Sequence, residues 1–115
     1  MALSEFETKR LEKMVGAFIE KRRPPPHLRP KIDLGFRISG QSVEIFEIHP
    51  RYDRPQEKME DPVAKATYVK AHDMWRVFWQ RADLKWHRYT PAPHVASMEQ
   101  FLALVDKDEY SCFFG

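Results

Sequence analysis

The residues best equipped for chemistry lie between positions 74 and 89. Trp75, Phe78, Trp79, Trp86 and Tyr89 are interleaved there with Arg76, Arg81, Lys85, His87 and Arg88. Rings beside cations suit single-stranded nucleic acid. Bases stack on the rings for about 1–3 kcal/mol each, and Lys or Arg meets the phosphates. A second basic stretch, Lys21 to Lys31, contains Arg22, Arg23 and Arg29 with His27 between them, and would lengthen that footprint. The pattern names Arg22, Arg23, Arg29, Trp75, Arg76, Trp79, Arg81, Trp86 and Arg88 as candidate binding residues. A plainer alternative stands beside it. Trp75, Val77 and Trp79 share one strand face, as core residues do, with Arg76 and Gln80 on the solvated one.

Carboxylates form the second constellation. Asp33 falls on one expected strand, and Glu44 and Glu47 on its hairpin partner. Carboxylates converging from neighbouring strands hold Mg²⁺ in many nucleases, where a Lys two residues on positions the attacking water. Here Glu47-Ile48-His49 puts His49 where that Lys would stand, and no helix follows. The competing expectation is a cross-strand pair between Glu44 and Arg37. His27, His49, His72, His87 and His94 show no His-x-x-x-His spacing. Cys112, the single cysteine, excludes an internal disulfide and a cysteine-based zinc site. Four glycines, widely scattered, leave no phosphate-cradling loop, so no cofactor is expected.

These residues need elements to hold them. Residues 4–22 read as an amphipathic helix: Ser4 and Glu7 have capping-box spacing, and Leu11, Met14, Val15, Phe18 and Ile19 recur on one side. Pro24-Pro25-Pro26 ends it, and residues 24–30 are expected in extended polyproline geometry. Residues 31–39 alternate as a strand, Gly40 serves a turn, and 43–49 return. Residues 50–62, rich in proline and charge, read as a long loop of the functional or mobile kind. Residues 63–71 read as a strand, with a short helix as the alternative, and strands follow at 74–81 and 84–89, with a turn at 81–83. Ser97 caps a second helix that carries Met98, Phe101, Leu102 and Val105. The apolar tail from Tyr110 to Gly115 should dock on the core or on a second subunit. The sum is one α+β domain over residues 1–115: a mostly antiparallel sheet of four to five strands with an N-terminal and a C-terminal helix packed on it.

Composition sets outer limits. The 115 residues, 43% of them hydrophobic, suffice for a core without metal or disulfide staples. Nineteen basic against 17 acidic side chains leave a formal charge of +2, which argues neither for nor against nucleic acid. The N-terminal segment lacks the basic-then-apolar order of a signal peptide, and no apolar run reaches the roughly 18 residues of a membrane span. A lone cysteine fits a reducing compartment, so a cytoplasmic protein is expected.

Over nearly its whole length the chain resembles a bacterial family of unknown function, DUF3024. The resemblance rests on Lys21 through Pro26, Ser42 through Ile48, Pro62 through Val69, Trp79 through His87 and Cys112-Phe113-Phe114-Gly115. It implies a bacterial, cytoplasmic setting and brings no activity with it. The sequence therefore favours a small non-enzymatic binding module, with single-stranded nucleic acid as ligand. The alternatives are a homodimeric interaction domain and a metal-dependent nuclease-like hydrolase.

Overall fold

The computed structural model describes residues 3–114. Helix α1 (Glu5–Arg22) starts where the capping box placed it. The Ser4 hydroxyl accepts from the Glu7 N–H at 3.1 Å, and the Glu7 carboxylate accepts from the Ser4 N–H at 3.1 Å. Two of the four free N–H groups at the helix start are thereby satisfied. Leu11, Val15 and Ile19 form its buried stripe. Arg23 and Pro25 are extended, as proline demands, but Pro26–Leu28 coil into one 3₁₀ turn instead of continuing extended. Proline accepts the first position of such a turn because its missing N–H has no partner to lose there.

A hairpin follows, β1 (Asp33–Ser39) and β2 (Ser42–Pro50), turning at Gly40 with φ +60°. Next come β3 (Lys58–Val69), β4 (Met74–Gln80), β5 (Trp86–Arg88), β6 (His94–Val95) and helix α2 (Met98–Lys107). The sheet order is β1-β2-β3-β4-β5, every pairing is antiparallel, and β6 also pairs with β4. Short connections between sequential strands dictate this meander. Both helices lie on one face. There Leu34, Val43, Ile45, Ala66, Trp75 and Val77 meet Leu11, Val15, Ile19, Phe101, Leu102 and Val105 in a single buried cluster. The α+β class holds, and the strand count is six, one above the expected range. Among the described residues no helix is long and apolar enough to cross a membrane.

The expected loop at 50–62 is mostly strand. β2 runs to Pro50 and β3 starts at Lys58, so only residues 51–57 connect them. The outer half of β3, residues 58–62, is exposed on both faces, and alternation betrays a strand only where one face is buried. The register slips between Ile45 and Phe46: Ala64 faces Ile45 but Pro62 faces Phe46, leaving Val63 as the extra residue. Such a bulge tolerates proline, which cannot donate to the ladder. Val63 is 2% exposed, so the bulge turns an additional apolar side chain inward.

The last strand is also cut short. Leu84 adopts φ +63° in the turn after β4, so β5 begins only at Trp86. Past Arg88 the edge continues irregularly: the Tyr89 N–H donates to Val77 O at 2.9 Å and the Val77 N–H to Pro93 O at 3.0 Å before β6 resumes. Pro91 and Pro93 concealed this segment from a reading by pattern.

The tail docks on its own chain. Asp108 ends α2 in the left-handed conformation, φ +44°, and its carboxylate accepts from the Phe113 and Phe114 N–H groups at 3.0 Å each. Phe113 is buried against Tyr89, ring centroids 4.8 Å apart, and the Arg22 guanidinium sits 4.2 Å above the Phe114 ring. Gly115, the end of the expected apolar tail, lies outside the described residues, as do Met1 and Ala2. Replacing Asp108 with Ala removes both acceptors and strains a left-handed residue, and should cost about 1–3 kcal/mol in urea unfolding. Asp108→Asn, which tolerates that backbone, should cost less; equal stability of Asp108→Ala and the parent chain would show that the carboxylate does not hold the tail.

Candidate functional site

Covering only one face of the sheet leaves the other open, and strand alternation decides what stands on it. One row crosses five strands: Arg37 on β1, Glu44 on β2, Lys65 on β3, Phe78 on β4 and Arg88 on β5, each directly opposite the next. A neighbouring row holds Thr67, Arg76 and His94. Trp86, opposite Gln80, belongs to the same face.

The rings and cations on this face are in register. Lys65 Nζ lies 5.7 Å from the centre of the Phe78 ring and 5.5 Å from that of Trp86. The Arg37 guanidinium caps Phe46 at 4.6 Å. Phe46 in turn lies across Gly35: a Cβ there would fall 2.8 Å from the ring. Glycine is required at that position so that the ring can lie flat against β1. Cation over ring is an attraction of about 0.5–1 kcal/mol at exposed sites. It also holds the cation where a ring-bound ligand would meet it.

The face divides electrostatically. On the β1–β2 side Arg37 is bound by carboxylates, Glu44 at 3.8 Å and Glu60 still closer. On the β3–β6 side Lys65, Arg76, Arg88 and His94 stand together, and among the described residues none of them forms an ion pair. Arg76, Arg88 and His94 are exposed, and Phe78 and Trp86 are half-buried. This half presents two half-buried rings beside Lys65, Arg76 and Arg88, which form no ion pair among the described residues.

The expected binding residues part company here. Trp86, Arg76 and Arg88 are on the open face. Trp75 is 6% exposed in the core, and Trp79, opposite Ala64, also points to the helix side with Arg81 5.6 Å over its ring. The basic arm is engaged in structural contacts. Arg22 pairs with Asp106 at 2.6 Å. Arg23 grips Asp33 through Nε at 3.0 Å and Nη2 at 2.6 Å, and reaches Glu20 at 2.9 Å. Arg29 Nε donates to Pro24 O at 2.9 Å. Phe46, Lys65, Phe78 and His94 complete the face. The imperfect alternation of β2, with Phe46 and Ile48 on the side away from Val43 and Ile45, is the one sequence signal that marks its β1–β2 half.

The carboxylates Asp33, Glu44 and Glu47 are not brought together. Arg23 holds Asp33 and keeps its carboxyl below the usual range, chiefly by hydrogen bonding. Glu44 lies beside Arg37 on the open face, while Glu47, opposite Leu34, faces the helices. Among the described residues no three His, Cys, Asp or Glu gather to hold a metal ion.

On the helix side, His49 Nδ1 lies 3.0 Å from Pro50 O and its Nε2 lies 2.6 Å from Asp61 Oδ2. Two acceptors favour the imidazolium, which can donate from both nitrogens.

Fold and site together define a two-layer α+β domain: two helices on one side, and on the other an open antiparallel sheet set with rings and cations. The chain belongs to the family described as Domain of unknown function (DUF3024), whose model matches residues 3–115. No curated protein and no solved structure matches it.

The His49 contacts set a pH dependence. The backbone acceptor of Pro50 first, then Asp61, raises the pKa of His49 above its ordinary 6.5. A raised folded-state value stabilises the fold fully below about 6.5, and that contribution disappears as pH climbs through the raised value. The ¹H–¹⁵N signals of His49 should therefore titrate above the ordinary imidazole range. In His49→Gln the decline of the urea midpoint across that window should shrink; an unchanged decline would assign it to other groups.

Proposed function

We propose that the protein is a non-enzymatic binding module that takes single-stranded nucleic acid on the β3–β6 half of its open sheet face. One observation carries the reading: Phe78 and Trp86 flank Lys65, with Arg76, Arg88 and the imidazole of His94 around them, and among the described residues none of these four side chains forms an ion pair. Two rings offer stacking surfaces to two bases, and every base has a π-face, so the reading carries no sequence preference. The cations follow the strand's phosphates. An open sheet suits a splayed single strand better than a duplex, whose bases are already stacked on one another. The single free cysteine, Cys112, suits a reducing interior, and the reading sets the module in a bacterial cytoplasm.

The test is a titration with a short oligothymidylate at several salt concentrations, followed by tryptophan emission. Trp86 is the reporter on this face, and Trp75 and Trp79 lie on the other. Saturable quenching that weakens with salt is expected. Arg76→Ala with Arg88→Ala should lower the slope of log affinity against log salt by about 1.4, two phosphates at roughly 0.7 each for single strands. Trp86→Leu should remove most of the quenching. Equal affinity and equal slope in the arginine double variant, with its fold intact, would overturn the assignment.

A further inference from the structure

On the opposite side of the sheet, the C-terminal half of α1, helix α2 and the docked tail leave a cleft above β1 and β2. Its volume is about 700 Å³, inside the roughly 300–1,000 Å³ typical of small-molecule sites. Phe18, Ile32, Leu34, Leu102 and Phe114 give it apolar walls. Arg22 and Asp106, also at its boundary, neutralise each other through their 2.6 Å ion pair.

Glu47 is the exception in this lining. It stands opposite Leu34 on the helix side of β2 and borders the cleft. Among the described residues its carboxyl joins no ion pair and accepts no hydrogen bond, and its pKa is raised, first by desolvation and then by the facing Asp61. The nearest cation on the sheet, His49, is already taken by Asp61 at 2.6 Å. Lys21, exposed in the last turn of α1, borders the cleft without pairing to Glu47. A half-buried carboxyl between apolar walls, with no donor from the protein among the described residues, leaves its oxygens to water, a place that an ammonium group can take.

We propose that this cleft is a binding site for a small organic cation: an apolar body that fills the space between Phe18, Leu34, Leu102 and Phe114, carrying a primary ammonium group that pairs with Glu47. The site is separate from the open face and does not depend on its function. The charge of the occupant follows from Glu47, and its apolar body follows from the walls. Binding strengthens as pH rises through the raised pKa of Glu47, since the carboxylate is the form that pairs with an ammonium. Loss of the His49 proton at higher pH acts in the same direction. Lys21 opposes the cation at the rim, where water screens it.

Isothermal titration of the full chain with phenethylamine tests this, alongside hydrocinnamate and phenylethanol, which carry the same ring with an acid or a neutral alcohol. Phenethylamine should bind saturably and in preference to both. Glu47→Gln, which keeps the shape and relieves the repulsion from Asp61, should weaken it by about tenfold or more, the usual worth of a hydrogen bond to a charged group. Ala103→Trp, placed at the exposed border of the cleft, should block all binding while leaving the fold intact. Tighter binding of hydrocinnamate would mean that Lys21 and Arg22 rule the site and would overturn the proposal. So would unchanged affinity in Glu47→Gln, or no saturable heat from any of the three compounds with the folded chain.

Discussion

Two helices on one side of a six-stranded sheet impose the asymmetry from which the other features follow. Alternate side chains along each strand then meet different surroundings, and residues one position apart fall under opposite rules. On the helix side, Val43, Ile45, Ala66 and Val77 are fully shielded from water and close-packed against Val15, Phe101 and Val105. Each such Val or Ile side chain contributes about 1.5–3 kcal/mol of transfer free energy. On the other side no layer covers the strands, so large side chains persist only if their neighbours shield them. Phe46 lies on Gly35 beneath Arg37, and Phe78 and Trp86 share Lys65. Rings in such surroundings can serve as ligand surfaces.

The same asymmetry accounts for the irregular places. The bulge at Val63 lets β3 carry an exposed, charged half beyond β2's register slip while its inner half stays in the core. The gap between β5 and β6 lets Tyr89 turn inward to 2% exposure and meet Phe113. Asp108 closes this corner by holding the tail's backbone, and Phe114 under Arg22 completes the join to α1. The basic arm after α1 has a similar structural role. Arg23 fastens the start of β1 through Asp33, so this arginine fixes the chain's path.

Where packing stops, polar groups lose their compensation. Among the described residues Lys65, Arg76 and Arg88 on the open face form no ion pair, and neither does Glu47 in the cleft under α1 and α2. The three cations and the carboxyl have opposite sign and lie on opposite faces of one sheet. A polyanion on one and a small cation on the other would not compete for the same surface.

Much of the architecture was legible from local physics. The capping box at Ser4 and Glu7, the apolar stripe of α1, the turn at Gly40 and the alternation of β1 and β4 are short-range signals, and each element formed where its signal lay. The α+β class followed from their order. What local signals could not convey was partnership. Strand 58–62 is held by backbone pairing to β2 and shows no apolar period, so its charges read as a loop. The face of each aromatic depended on register: Trp75 and Trp79 pair with Tyr68 and Ala64 and so join the helix side, while Phe78, one position away, joins Lys65 on the other. Arg22 and Arg23 acquired their partners, Asp106 and Asp33, only when distant segments met. The sequence by itself determined both helices and the strands that carry a buried alternating face, because capping, proline and period act within a few residues. Tertiary structure alone decided which rings, cations and carboxylates stand together and unpaired, because that depends on register and on which face the helices cover.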